Sequence, residues 1–133
     1  MEAISNDMCS TAEPIEPAAP ITANTAGAKP HGLKNDMCSL HADSRGAFYE
    51  LQGTGNKMYV TFITDMPEEN RMEIAVVSDD CGTCVTYSDF LTAGDTPHTV
   101  HFDSVEGETY KIVVSGERFS DAGEFQLEME EGK

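Results

Sequence analysis

The chain has 133 residues, of which 24 are acidic and 8 basic, giving a formal net charge of −16. This charge balance argues strongly against binding of nucleic acid and disfavours binding to anionic membrane surfaces, because both require clustered Lys and Arg. No stretch approaches the roughly 18 consecutive apolar residues of a membrane span. The length predicts one domain over 1–133, with an extended, disulfide-tethered segment at 1–45 and the main strands at 46–130.

The first 45 residues contain a short repeat. Residues 6–10 read Asn-Asp-Met-Cys-Ser, and 35–39 read the same. Asn-Asp pairs favour turns, so the repeat predicts two matching turns that face each other across a disulfide. Between them, 11–30 is rich in Ala, Pro and Thr, a composition typical of a linker or a glycosylatable stalk. Within it, 21–25 has strand character and is expected to form an extended edge strand.

From residue 46 onward the sequence alternates apolar and polar residues in short runs bounded by turn residues, which is typical of β-strands. The turn at 53–56 contains two glycines and predicts a β-hairpin between the strands on either side of it. The predicted strands before the final pair are 47–51, 58–64, 72–77, 84–87 and 99–103.

The final pair of predicted strands, within 107–116 and 123–130, is the clearest pattern in the chain. Their apolar positions are Tyr110, Ile112 and Val114, followed by Phe125, Leu127 and Met129. Glu124, Glu128 and Glu130, at alternate positions to these last three residues, are expected to point the opposite way, into water. The pattern predicts a sheet with one wet face, and the strand count predicts an all-β fold, a single antiparallel β-sandwich of about eight strands.

Four cysteines indicate two disulfides and an oxidising compartment. Three connectivities are possible. We expect Cys9–Cys38 with Cys81–Cys84, because Cys81 and Cys84 are too close in sequence to reach other partners freely.

Cys81 and Cys84 also allow two other interpretations, a redox pair or half of a zinc site completed by His98 and His101. A redox pair requires a helix that starts at the first cysteine, whereas the surroundings here are strands. The two histidines lie three apart on a predicted strand and therefore point to opposite faces. A local disulfide is the favoured interpretation.

Acidic residues that cluster in loops are calcium candidates or turn formers, with turn formation favoured. The calcium candidates are Asp79, Asp80 and Asp121, and further loop acids are Asp89, Asp95 and Asp103. No cofactor is predicted beyond possible calcium.

No nucleophile motif or phosphate-binding loop is present, so no enzymatic activity is predicted. His31 and His41 are predicted to be ordinary surface histidines. Without tryptophan, a sugar-stacking platform would have to use Tyr49, Tyr59 or Tyr87.

The order of these features resembles the bacterial pre-peptidase C-terminal domain of secreted multi-module proteins. The resemblance covers nearly the whole chain and depends on the cysteine-containing segments and the glycine-bounded strands. Its closing element is Gly107-x-Thr109-Tyr110-x-Ile112-x-Val114-x-Gly116, followed by Gly123-x-Phe125-x-Leu127. One departure is Phe48, at a position where such domains often carry Trp.

The resemblance implies a jelly-roll-like β-sandwich that acts as a non-catalytic extracellular or cell-surface module. Its partner would be a polysaccharide or a protein surface, met at loops or at an exposed sheet face. Two alternatives remain: a structural subunit that assembles through edge strands, and a calcium-dependent carbohydrate-binding module. Because no apolar segment follows Met1, the chain is either cytosolic or a segment whose signal peptide has been removed or omitted.

Overall fold

The computed structural model describes residues 6–17, 20–33, 38, 40–41, 43–88 and 90–132, which form two packed β-sheets. The strands are β1 (Glu13–Pro14), β2 (Ile21–Asn24), β3 (Gly46–Gln52), β4 (Lys57–Ile63), β5 (Met72–Ser78), β6 (Cys84–Tyr87), β7 (His98–Asp103), β8 (Thr109–Gly116) and β9 (Glu124–Glu131). The helical elements in the described part are three-residue 3₁₀ turns at Cys9–Thr11, Thr25–Gly27 and Ala93–Asp95. No helix within this part is long and apolar enough to cross a membrane. The predicted all-β sandwich is confirmed.

The two sheets have the strand orders β1-β3-β8-β5-β6 and β2-β9-β4-β7. Except for the short parallel β1–β3 pair, neighbouring strands are antiparallel. Most connections cross from one sheet to the other. The predicted hairpin around 53–56 is therefore wrong, because β3 pairs with β8 and β4 pairs with β7 and β9.

Glycine at position 53 serves this crossing. Its amide donates to the Glu108 carbonyl (N···O 2.7 Å), and its carbonyl accepts from the Gly107 amide (3.3 Å). A Cβ at Gly53 would lie 2.2 Å from the Val105 carbonyl oxygen. The turn needs glycine for this close approach to the β7–β8 loop.

The sandwich core lies between the two sheets. Its members include the predicted inward positions of β8 (Tyr110, Ile112 and Val114) and of β9 (Phe125, Leu127 and Met129). Phe62 and Phe125 meet across β4 and β9 with ring centroids 5.8 Å apart. The alternation therefore identified the core correctly, although these two strands belong to different sheets.

The outer face of the five-stranded sheet is also buried, contrary to the prediction of a wet face on β8. Lys111, Val113 and Ser115 point away from the sandwich core, yet all three are buried. Val113 belongs to a second apolar cluster, in which residues from the first 45 positions cover the sheet. Members of this cluster are Cys38, Leu40, Phe48, Ala75, Val77, Cys81 and Val113, with Cys9, Ala12, Leu33 and Cys84 packed against it. We call the described residues of this covering, which lie within 6–12 and 29–45, the strap.

Two disulfides attach the strap to the sheet. They join Cys9 to Cys81 and Cys38 to Cys84, with Cα–Cα distances of 6.3 and 5.3 Å. Two disulfides are confirmed, but the predicted pairing is wrong. Cys81 and Cys84 lie on the turn and strand that face the strap, and each reaches a different strap cysteine instead of its neighbour.

The two copies of the repeat do not face each other across a disulfide. Asn6 exchanges hydrogen bonds with β3: its side-chain amide donates to the Phe48 carbonyl (3.0 Å), and its carbonyl accepts from the Phe48 amide (2.8 Å). Asp7 Oδ2 accepts from the Lys29 amide (2.9 Å). Of the second copy, 35–37 and 39 lie outside the described residues. The predicted edge strand at 21–25 is confirmed as β2, at the edge of the four-stranded sheet.

Candidate ligand-binding face

The outer faces of the two sheets differ. The strap covers the outer face of the five-stranded sheet, whereas β9 presents Glu124, Glu128 and Glu130 to solvent on the outer face of the four-stranded sheet. We call this second surface the open face. Of the two ligand surfaces that the sequence suggests, loops and an exposed sheet face, the open face offers the broader array of side chains.

An aromatic pair lies on the open face. Tyr59 of β4 stands opposite Glu130 of β9 on one side and His101 of β7 on the other. The Tyr59 and His101 rings are tilted at 50°, with centroids 5.9 Å apart. Tyr59 is half-buried and His101 is exposed, so the pair offers an aromatic surface with polar edges.

The next row of the open face is polar. Thr61 stands opposite Glu128 on β9 and Thr99 on β7. The Thr61 and Thr99 hydroxyls are 2.7 Å apart and hydrogen-bonded. This row places two hydroxyls and a carboxylate beside the aromatic pair, groups that can donate to and accept from a polar ligand.

Two hollows lie along β9 on this side of the molecule. The first, the Ile63 hollow, has a volume of about 300 Å³ and is lined by residues that include Thr22, Ile63, Asp65 and Glu124. The second, the Pro20 hollow, has a volume of about 280 Å³ and is lined by Pro20, Thr61, Glu128, Met129 and Glu130. Each is large enough for a side chain or part of a sugar ring, and both volumes fall at the low end of those of small-molecule sites.

Charged side chains that contact neighbouring residues lie at the end of the open face near Glu131. Asn56 Nδ2 donates to Glu131 Oε2 (2.7 Å), and this hydrogen bond, with a further one from Thr54, lowers the pKa of Glu131. Lys57 Nζ lies 4.0 Å from Asp103 Oδ1, and both side chains are substantially exposed. Such an exposed pair adds little stability.

The three tyrosines proposed for a stacking platform fall in different environments. Tyr49 is buried in the sandwich core and cannot meet a ligand. Tyr87 is 45% exposed, but it lies on β6, at the edge of the five-stranded sheet. Only Tyr59 of these three lies on the open face. The partnership with His101 and Glu130 was missed, because the sequence does not reveal which strands are neighbours.

The three calcium candidates already have protein partners. The Lys111 ammonium donates to the Asp79 carbonyl (2.7 Å) and to Asp79 Oδ1 (3.0 Å). Buried Asp121 forms a two-point pair with Arg118, whose Nε and Nη2 each lie 3.0 Å from a carboxylate oxygen. The third candidate closes a turn, described next.

Asp80 Oδ1 accepts from the Ser78 hydroxyl (2.6 Å) and the Gly82 amide (2.9 Å). These hydrogen bonds lower the pKa of Asp80, so its carboxylate stabilises the β5–β6 turn. Asp95 has a similar role at Ala93–Asp95, where it accepts from the Thr92 amide (2.9 Å), which lowers its pKa. Asp103 pairs with Lys57, and Asp89 lies outside the described residues. No group of three or more His, Cys, Asp or Glu side chains in the described ranges could hold a metal ion.

The zinc candidates are separated. His98 lies on the inward side of β7 with buried Val100 and Phe102, whereas His101 points to the open face. Cys81 and Cys84 are both in disulfides. The four residues therefore do not converge on one metal.

His31 is not the ordinary surface histidine that the sequence predicts. Its Nδ1 accepts from the Leu33 amide (3.0 Å), so the neutral ring carries its proton on Nε2, 2.9 Å from the Ser115 hydroxyl. Burial of its ring against the sheet, together with repulsion from His41, lowers the pKa of His31 to about 4. The uncharged imidazole therefore helps to hold the strap on β8. His41 contacts Phe90, with ring centroids 5.6 Å apart.

No protein-family model and no curated protein sequence matches this chain. Several solved structures share its fold. PliG of Aeromonas hydrophila, a periplasmic inhibitor of g-type lysozyme, is 13% identical with a TM-score of 0.61, over 95% of this chain and 98% of PliG. CorA of Methylomicrobium album BG8, a surface-associated copper-binding protein, is 12% identical with a TM-score of 0.59, over 99% and 100% of the two chains.

The pre-peptidase C-terminal domain of the Bacillus anthracis collagenase is 11% identical, with a TM-score of 0.59 over 90% of this chain and 94% of that domain. At identities this low, the structural likeness establishes a shared fold only. The ligands of these proteins are not assigned to this chain. The chain therefore has the fold of a pre-peptidase C-terminal domain, as the sequence resemblance predicts.

Proposed function

We propose that this protein is an exported, non-catalytic module that binds a polysaccharide or protein ligand through the open face. The observation that carries the proposal is the contrast between the two outer faces. One is closed by a strap with two disulfides, and the other presents a half-buried tyrosine among carboxylates and hydroxyls. Export is supported by the two disulfides, which persist in oxidising compartments.

The chemistry of the open face suits a ligand with hydroxyl or amino groups. Tyr59 supplies an apolar ring surface that a sugar ring or an aliphatic side chain can cover. Thr61 and Thr99 supply hydroxyls, and Glu128 and Glu130 supply acceptors on the neighbouring strand. The net charge of −16 disfavours polyanionic ligands, including acidic polysaccharides.

A binding panel tests this proposal, using a neutral β-glucan, a cationic chitosan, an anionic alginate and a lysozyme. The matched variants are Tyr59→Ala on the open face and Tyr87→Ala on β6, each of which removes one phenol ring. We expect Tyr59→Ala to weaken binding of the recognised ligand at least about tenfold, and Tyr87→Ala to change it less than about twofold. Equal losses in the two variants, or a larger loss for Tyr87→Ala, would refute the open face as the binding surface.

The panel also separates the alternatives. Calcium-dependent carbohydrate binding predicts that a chelator abolishes the signal and lowers the melting temperature. Inhibition of a lysozyme is a second candidate for a protein ligand, supported by the likeness to PliG over nearly the whole of both chains. Its readout is the rate at which the lysozyme clears bacterial cell walls, with and without this protein.

Assembly through edge strands remains a further alternative, with β2 as one observed edge. Sedimentation over a hundredfold range of concentration tests it. A sedimentation coefficient that does not change with concentration would exclude assembly of this chain on its own.

A further inference from the structure

The Ile63 hollow combines an apolar wall with two carboxylates. Ile63 is half-buried on β4, and Asp65 and Glu124 are exposed at the same rim. No hydrogen bond or ion pair engages either carboxylate within the described residues. The hollow therefore has a hydrocarbon surface next to unpaired negative charge.

The Pro20 hollow has the same composition. Pro20 supplies an exposed apolar surface, and Glu128 and Glu130 of β9 supply two exposed carboxylates. These carboxylates are likewise without a protein partner among the residues that the structure describes. Glu128 and Glu130 lie two apart on the same side of one strand, where like charges repel.

No described lysine or arginine lines either hollow or forms an ion pair with its carboxylates. Arg45, Arg71, Lys111 and Arg118 contact other parts of the molecule. Lys57 is near Asp103 at the far edge of the open face. Within the described structure no ion pair engages the outward glutamates of β9, and a cation from a partner would offset their mutual repulsion.

A hydrocarbon wall next to carboxylates complements the side chains of lysine and arginine, which have an aliphatic stem and a charged head. On β9 the Ile63 hollow is lined by 124–126 and the Pro20 hollow by 128–130, so the midpoints of the two linings are four residues apart. Four residues of strand separate these positions by about 13 Å. That is also the distance between side chains at positions i and i+4 of an extended segment, which point to the same side.

We propose that the open face docks a basic protein surface, with each hollow receiving one Lys or Arg side chain and the two side chains about 13 Å apart. This inference rests on the proposed function and specifies its ligand. The glutamates of β9 are complementary in charge to a cationic partner, and such complementarity accelerates encounter and fixes the register of docking. Tyr59 and His101, beside the Pro20 hollow, complete the contact surface.

The test uses an extended peptide with two lysines at positions i and i+4 among threonines, and a control peptide with glutamine at both positions. The variant is the triple replacement Glu124→Gln, Glu128→Gln and Glu130→Gln. A matched control carries the same charge change elsewhere, with glutamine replacing Glu16, Glu106 and Glu108, which are exposed and away from the hollows. Affinity is measured by NMR titration at about 0.15 M salt, where weak long-range attraction is screened.

We expect the lysine peptide to shift the resonances of Ile63, Thr61 and Tyr59. The triple glutamine variant of β9 should bind this peptide about tenfold more weakly than the wild-type protein does. The matched control variant should lose less than about twofold, and the glutamine peptide should bind neither form. Equal losses in the two variants would overturn the inference, because binding would then follow net charge alone. Equal binding of the two peptides would also overturn it.

Failure of this inference is distinguishable from failure of the proposed function. If Tyr59→Ala weakens binding of a polysaccharide while the β9 glutamine variant binds it normally, the open face is the binding surface and its ligand is not a basic protein. If neither variant affects any ligand that the wild-type protein binds, both proposals fail.

Discussion

Replacing Val113 with threonine tests whether the strap seals the five-stranded sheet. Val113 is fully buried on the outer side of β8, in the second apolar cluster. Threonine has nearly the same shape, so the substitution exchanges one methyl group for a hydroxyl. Burying that hydroxyl without a partner costs about 1–3 kcal/mol, so we expect the free energy of unfolding to fall by about 2 kcal/mol.

The matched control is Val105→Thr, because Val105 is 57% exposed in the β7–β8 loop. We expect this variant to change the unfolding free energy by less than about 0.5 kcal/mol. Both are measured by guanidinium unfolding of the oxidised protein at pH 7, at constant m-value. A loss below about 0.5 kcal/mol for Val113→Thr would show that the strap does not exclude water from the five-stranded sheet. A solvent-exposed position on a β-strand tolerates threonine.

Three further predictions concern stability. Replacing Cys9 and Cys81 with alanine releases a loop closed over 72 residues, and unfolding free energy should fall by about 4 kcal/mol; a loss under about 1 kcal/mol would contradict the attached strap. For His31, the folded pKa of about 4 lies below the unfolded value of 6.5, so the unfolded state binds more protons between these pH values and stability falls as pH drops from 6.5 to 4. His31→Gln should flatten this part of the pH profile, and an unchanged profile would contradict the buried neutral imidazole. Gly53→Ala should cost about 1–3 kcal/mol through the contact with the Val105 carbonyl, and a neutral effect would show that the turn relaxes easily.

The sequence was sufficient to locate every strand of the described structure except β1, which lies in the stretch interpreted as a linker. Alternation with a period of two places the sandwich core correctly, because each inward residue must be apolar whichever strand lies beside it. β6 begins and ends where predicted, and the predicted 47–51 and 58–64 differ from the observed β3 and β4 by one residue at each end. Local pattern determines these elements.

Strand partners could not be predicted from the same pattern. The glycines near Gly53 suggest a hairpin, but they serve a close approach between loops of different sheets. The strap could not be predicted from the sequence either. The alternation on β8 predicts a solvent-exposed outer face that includes Val113 and Ser115. An apolar residue at position 113 is explained by its burial beneath residues of the first 45 positions. Pairing and covering depend on contacts distant in sequence, which one chain does not reveal.

The predicted disulfide pairing is wrong for a related reason. Cys81 and Cys84 are neighbours in sequence, and proximity favoured a local bridge. In the fold, both face the strap, and each bonds to a cysteine more than 40 residues away. The candidate site shows the same limit, because Tyr59 could be named from composition while its neighbours His101 and Glu130 required the sheet order.

The binding role of the open face is tested most directly by the ratio of dissociation constants of Tyr59→Ala and Tyr87→Ala for a ligand that the wild-type protein binds. Both variants lose a tyrosine ring from a strand, and only Tyr59 lies on the open face. If the open face is the binding surface, the Tyr59→Ala constant exceeds the Tyr87→Ala constant by at least about fivefold. A ratio near one, or a ratio in the opposite direction, would show that the open face is not the binding surface.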